Sequence, residues 1–176
     1  MLDLVQEMET LMRSLPRLFL AGFAAATLAS PVISQRADNQ ISPKSVELQR
    51  QAKALTSAGK LEQAEDLLET ALAVDPRNRW AYVDLARVAE KQRLYGKAIR
   101  MTNKALVIEP NDPDAIAVQG EAMVEMGAKA RAQANLQKLQ QICGVKSCPQ
   151  VAQLSSAISR GPTVASAKAP DVPKKN

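Results

Sequence analysis

At 176 residues with a formal net charge of +5, the chain has room for one folded domain plus tails. Aromatic residues make up only 3%, so a core has to be built from Ala and Leu, and the absence of histidine removes the commonest general base and metal ligand. Most of the excess positive charge falls toward the end of the sequence, outside its regular middle, which argues against a nucleic-acid-binding face.

Arg13 and Arg17 precede an apolar run over residues 18–28, followed by small residues, with Val32 and Ser34 placed for cleavage before Gln35. That is the three-part layout of a secretory signal peptide. The run is short of the ~20 residues a helix needs to span a bilayer. No Cys follows it to carry a lipid. A short uncleaved anchor is the competing reading. Asp3, Glu7 and Glu9 sit where a signal needs positive charge, a conflict removed if translation starts at Met12. Residues 1–34 are therefore read as an upstream extension plus signal peptide, and 35–44 as a linker. The mature chain is expected in the periplasm, or secreted, with no stable membrane span after cleavage.

Ser42-Pro43 opens the first predicted helix, since Ser can cap and Pro is tolerated in the first turn. Val46, Leu48, Ala52 and Leu55 give it an apolar side, and Ala58-Gly59 stops it. A second helix carries Leu61, Ala64, Leu67, Leu68, Ala71 and Leu72 at three-to-four spacing and ends at Asp75-Pro76. Six of its positions then recur at an offset of 34: Ala64, Ala71, Leu72, Val74, Asp75 and Pro76 return as Ala98, Ala105, Leu106, Ile108, Glu109 and Pro110. A period of this length signals stacked units that bury their apolar faces on one another.

The pattern resembles the tetratricopeptide repeat family. With Ser45 as position one, the family's small residues fall on Ala52, Ala64 and Ala71, its turn glycine on Gly59 and its terminal proline on Pro76. The second copy gives Tyr82, Leu85, Ala86, Tyr95, Ala98, Ala105 and Pro110, with Arg93 in place of the turn glycine, so that turn is expected to be strained or reshaped. A third, degraded copy keeps Ala115, Gly120, Gly127, Ala132 and Leu136. The resemblance implies an all-α, right-handed solenoid of helical hairpins with three repeats, 45–78, 79–112 and 113–142.

Cys143 and Cys148 are the only cysteines. In an exported chain they are expected to form a disulfide. The alternative, a metal site, needs about four ligands where two thiolates are offered, and the spacing is wider than that of redox-catalytic pairs. Pro149 opens a last helix bearing Val151, Leu154 and Ile158 on one face, expected to cap the stack, so 143–160 reads as disulfide loop plus capping helix. Residues 161–176, rich in Pro, Ala and Lys, read as a disordered tail.

In the family, first helices of successive repeats line a concave groove that holds a peptide or a helix. By the same resemblance, the groove here would include Arg50, Lys53, Trp80, Val83, Asp84, Arg87, Lys91, Val118 and Glu121. Trp80 reads either as a binding hot spot or as a helix-start residue lying on Arg77-Asn78. Arg50, Lys53, Arg87 and Lys91 read either as a basic stripe for an acidic peptide or as a solvated face paired with Asp84 and Glu90. Some members clamp a C-terminal carboxylate with Lys and Asn; the Asn residues are missing here, and the clamp is not carried over. The implied function is a non-catalytic scaffold binding a protein or peptide partner in the bacterial envelope. The alternative is a periplasmic or secretion chaperone shielding a client helix. No nucleophile–histidine pair, phosphate loop or metal cluster points to an enzyme or a cofactor, no nucleic acid is implied, and self-association through an exposed end face is possible.

Overall fold

The computed structural model of the chain describes residues 40–144 and 148–163. The upstream extension, the signal peptide, most of the linker and the tail from residue 164 lie outside the described residues. Within them are seven helices and no strand: α1 Pro43–Ser57, α2 Leu61–Val74, α3 Arg79–Lys91, α4 Tyr95–Ile108, α5 Pro113–Glu125, α6 Lys129–Cys143 and α7 Pro149–Arg160.

Small residues decide how closely these helices approach. Ala52, Ala64 and Ala71 in the first hairpin, and Ala86, Ala98 and Ala105 in the second, are all fully buried. Each lets a neighbouring backbone come near, and the larger Leu48, Leu68, Leu85 and Val88 fill the space between. The core runs as three adjoining clusters. The first joins α1, α2 and α3, the second α3, α4 and α5, and the third α5, α6 and α7. The odd-numbered helices approach one another closely from hairpin to hairpin, whereas the outer α2 and α4 stand further apart and are bridged by the Lys97 side chain, which binds Glu65 and Glu69. The row therefore curves with α1, α3, α5 and α7 on its inner face.

Turns between hairpins are fixed by side chains. The Asn78 side chain caps α3 by accepting from Ala81 N (3.2 Å) and donates to Ser45 Oγ (2.9 Å), which in turn donates to the Ala71 carbonyl (2.8 Å). Asp112 caps α5 in the same way, accepting from the amides of Asp114 (2.9 Å) and Ala115 (3.3 Å), and also binds Arg79. Ser42 occupies the N-cap position of α1, but its side chain makes no capping bond; its backbone N–H donates to Asp75 Oδ2 at 2.8 Å instead. The same carboxylate accepts from Arg77 N and Nε, both at 3.1 Å. The Arg77 guanidinium is the chief reason Asp75 is held down to about 2.

At the stack's end, α7 lies against α5 and α6, more broadly on α5. Cys143, the last residue of α6, is disulfide-bonded to Cys148, which immediately precedes α7, with 5.6 Å between their Cα atoms. Leu154 sits so close to Gly120 that a Cβ there would lie 2.7 Å from its methyl carbons. The sequence reading starts a structureless tail at residue 161, but Thr163 is still attached, its N–H and Oγ1 donating to Glu125 Oε2 at 2.9 and 2.8 Å.

Between the helices of each hairpin the backbone needs one left-handed residue. Gly59 and Gly127 supply it at φ 75° and 76°, and Arg93 supplies it at φ 63°. Arg93 is thus forced to imitate glycine, as the expected strain required, and an L side chain there costs about 1–2 kcal/mol against a smaller entropic cost for glycine. Arg93→Gly should therefore raise stability by about 0.5–1 kcal/mol in urea unfolding. An unchanged or lower midpoint would show that the Arg93 turn stores no strain.

Candidate functional site

The inner face is built from residues that the odd helices turn away from their outer partners. A polar ladder crosses it. Gln49 on α1 donates to Asp84 on α3 at 2.5 Å, and Lys53 lies 4.0 Å from the same carboxylate. Arg87 on α3 donates to Asp114 on α5 at 2.8 Å, and Gln150 on α7 donates to that same oxygen at 3.1 Å. Four helices are thereby tied edge to edge by groups that remain partly open to solvent.

Below the ladder, toward the C-terminal ends of the inner helices, the charge turns acidic. Glu90 on α3 is surrounded by Glu121 and Glu125 on α5, with Arg87 the opposing charge. Burial, reinforced by the two neighbouring carboxylates, pushes Glu90 up to about 8. Glu121 and Asp84 are raised as well, each chiefly by burial, with hydrogen bonds from Gln153 and Gln49 respectively opposing the shift. Among the described residues, no group of three His, Cys, Asp or Glu side chains is placed to hold a metal ion.

The residues expected in the groove divide by these surroundings. Lys53, Asp84, Arg87 and Glu121 do converge on the inner face. Arg50 does not join them; its guanidinium turns back along α1 to make two hydrogen bonds with Glu47, at 2.9 and 2.7 Å. Lys91 is exposed at the end of α3. Trp80, 45% exposed, is covered on one side by the Arg79 guanidinium, 4.4 Å from the ring centroid. Val46, at the equivalent position of α1 34 residues earlier, is also exposed, so the N-terminal ends of α1 and α3 both offer apolar surface.

Two expectations fail on burial. Val83 is 4% exposed and Val118 is fully buried, both within the cluster that joins α3 to α5. They hold neighbouring inner helices together and present nothing to a partner. The basic stripe also fails to form. Arg50 is paired with Glu47, Lys53 approaches Asp84, and Arg87 is bonded to Asp114. The neighbouring titratable side chains are acidic ones, Glu90, Glu121 and Glu125.

The sequence reading also missed how much of the third unit's surface α7 takes up. Gln150 meets Asp114, Leu154 covers Gly120, and Thr163 closes on Glu125. Ala117 and Val124 are buried in one cluster with Leu154 and Ile158. The signal was in the spacing, because Leu154 follows Gly120 by the same 34 residues that separate Ala52, Ala86 and Gly120. Among the described residues, α7 is a fourth inner helix without an outer partner.

Residues 55–122 match the family described as Tetratricopeptide repeat. No curated protein matches the sequence. Among solved structures, the Sgt2 tetratricopeptide repeat domain of Aspergillus fumigatus is 21% identical, with a TM-score of 0.62, covering 68% of this chain and 79% of that one. The TPR2B domain of yeast Sti1, solved as a complex with pHsp70, is 21% identical at TM-score 0.61, covering 68% and 98%. The Yersinia enterocolitica type III secretion translocator chaperone SycD is 20% identical at TM-score 0.59, covering 68% and 89%. At these identities the likeness establishes the fold.

The acidic cluster carries a measurable signature. Glu90 holds its proton in the folded chain up to about 8 but releases it near 4.5 when unfolded, so the folded state binds more protons between those values and stability falls as pH rises through them. Glu90→Gln should stabilise the protein by about 1–2 kcal/mol at pH 8, leave it nearly unchanged at pH 4, and flatten the pH profile between. Chemical denaturation at a series of pH values checks this; parallel profiles for variant and parent would contradict the placement of Glu90.

Proposed function

We propose that this tetratricopeptide repeat protein is a non-catalytic scaffold that binds a segment of a partner protein along its inner face, in the bacterial envelope. The observation that carries the reading is the open surface over α1 and α3. There Val46 and Trp80 expose apolar area at the rim, while Gln49, Lys53, Asp84 and Arg87 offer hydrogen-bonding groups beside it. A part-exposed tryptophan next to fixed polar groups is the usual make-up of a binding hot spot. That yeast Sti1's TPR2B domain was solved as a complex with pHsp70 supports a protein partner for this fold here.

With α7 lying over the third unit, the available length is set by α1 and α3, and the matching partner is a short segment. An extended peptide would keep its backbone against the polar ladder and place one apolar side chain at Trp80. Location in the envelope is supported by the signal-like N-terminal pattern and by a disulfide, which persists in oxidising compartments. The likeness to the Yersinia translocator chaperone favours a second reading, in which the same face shields a helix of a client before assembly. Protection of unrelated unfolded proteins from aggregation would select that reading over a single specific partner.

The test is recovery of partners from envelope extract by immobilised protein. Trp80→Ala should reduce recovery of a groove-bound partner by about tenfold or more, the scale of a hot-spot truncation. Val107→Asp, on the 83% exposed outer surface of α4, should leave recovery unchanged. Equal recovery by the parent and Trp80→Ala would remove the inner face from consideration.

A further inference from the structure

Two open hollows lie along the edge of the row where the hairpins turn, and they are the same place in successive units. The first is lined by Gly59, Lys60, Leu61, Glu62, Gln63 and Gln92. The second, of about 430 Å³, has Arg93, Leu94, Tyr95, Gly96, Lys97 and Met126 at the positions 34 residues on, with Arg100 added. Lys60 becomes Leu94 and Gln92 becomes Met126, two polar groups exchanged for apolar ones that stand 49% and 57% exposed. Glu62 becomes Gly96 and Asp66 becomes Arg100, so two acids are gone and a guanidinium replaces one of them.

One change runs against stability. Gly59 becomes Arg93, the only non-glycine residue at positive φ among the described residues. Strained backbone gathers at ligand-binding places, and here it puts a guanidinium on the wall of the hollow. We propose that this second hollow docks an acidic segment of a partner protein, seating an apolar side chain between Leu94 and Met126 and carboxylates on Arg93 and Arg100. The surface is separate from the inner-face site around Trp80. Trp80 opens α3 and the hollow lies beyond its other end, about 20 Å away along thirteen residues of helix.

Charge selects the occupant. No acid lines the hollow. Lys97 is engaged by Glu65 and Glu69 of α2, while among the described residues no carboxylate pairs with Arg93 or Arg100. The acids nearest along the chain face the inner side, where Glu90 meets Glu121 and Glu125 accepts from Thr163. The outer helices repeat the contrast on a larger scale. α2 carries Glu62, Glu65, Asp66 and Glu69 with no base, and α4 carries Lys97, Arg100 and Lys104 with no acid. Guanidinium groups hold carboxylates through paired, charge-assisted hydrogen bonds. A recess flanked by two exposed apolar side chains takes in a further side chain, which a flat layer of lipid headgroups does not offer.

NMR titration of the isotope-labelled full chain tests this, with a terminally blocked nonapeptide of three glutamate–leucine–glutamate units as the probe. Amide shifts at Leu94, Gly96 and Met126 are expected, saturating by about 1 mM peptide and weakening in high salt. The same peptide with glutamine for glutamate should bind far more weakly. Arg93→Gly and Arg100→Asp write the first unit's residues into the second, at two exposed positions. Each should weaken binding of the acidic peptide about tenfold, the scale of a lost charge-assisted hydrogen bond. Trp80→Ala should leave it unchanged. Arg93→Gly should lose binding while its urea midpoint rises, a combination that damage to the fold does not produce.

Absence of shifts at Leu94, Gly96 and Met126, or shifts there that survive both substitutions, would overturn the proposal. Shifts confined to the inner face and lost in Trp80→Ala would do the same. Binding of phosphatidylglycerol vesicles that Arg100→Asp abolishes, with no response to the peptide, would replace the partner segment by a membrane. Sedimentation of the chain alone as a dimer that Arg100→Asp dissociates would make a second copy the occupant instead.

Discussion

Close approach between helices is the constraint on which the rest of this molecule depends. A hairpin of two short helices with few aromatic residues cannot bury enough surface alone. Alanine at the recurring contact points removes the side-chain thickness that would hold helices apart, so that each hairpin covers the next. Ala52 and Ala86 set this spacing on the inner helices, and Ala64, Ala71, Ala98 and Ala105 on the outer ones. Asp75 and Asn78 turn the closeness into a defined angle, since one binds the start of α1 and the other caps α3 while holding Ser45. Apolar packing sets the distance, and a few buried polar groups set the direction.

The elements were legible because periodicity and punctuation are local properties. The Ser42-Pro43 start, the Ala58-Gly59 stop and the Asp75-Pro76 break each mark a boundary that the structure keeps within a residue or two. Arg93 could be recognised as a residue in a glycine's place for the same reason, and its positive φ follows from the turn's geometry. The fate of individual groove positions was not local. Val83 and Val118 occupy places that face a ligand in the family pattern, yet here they lie between adjacent inner helices and pack there. A pattern within one helix cannot say how far the next one slides across it.

Charge pairing was hidden for a related reason. Arg50 had a carboxylate one turn away on its own helix, and Glu47 captured it. Arg87 found its partner 27 residues away on α5, where Asp114 also receives Gln150 from α7. A linear reading sees four basic residues at similar register; only the folded arrangement shows the charge of Arg50, Lys53 and Arg87 answered by Glu47, Asp84 and Asp114, with further acid gathered beneath. The inner face consequently has two characters. One end is apolar-rimmed and hydrogen-bonded, and the other holds Glu90, whose proton is retained up to about 8, and Glu121, raised in the same direction by burial.

The four residues that follow one another at intervals of 34 along the inner helices are Ala52, Ala86, Gly120 and Leu154. The first two permit stacking from either side. The third has lost its last carbon, and the fourth fills the vacated notch with a branched chain fully shielded from water. Leu154 therefore keys α7 to α5, because a hairpin inserted between them would have to present the same notch. Lengthening this array by duplication upstream of Gly120 leaves that fit in place.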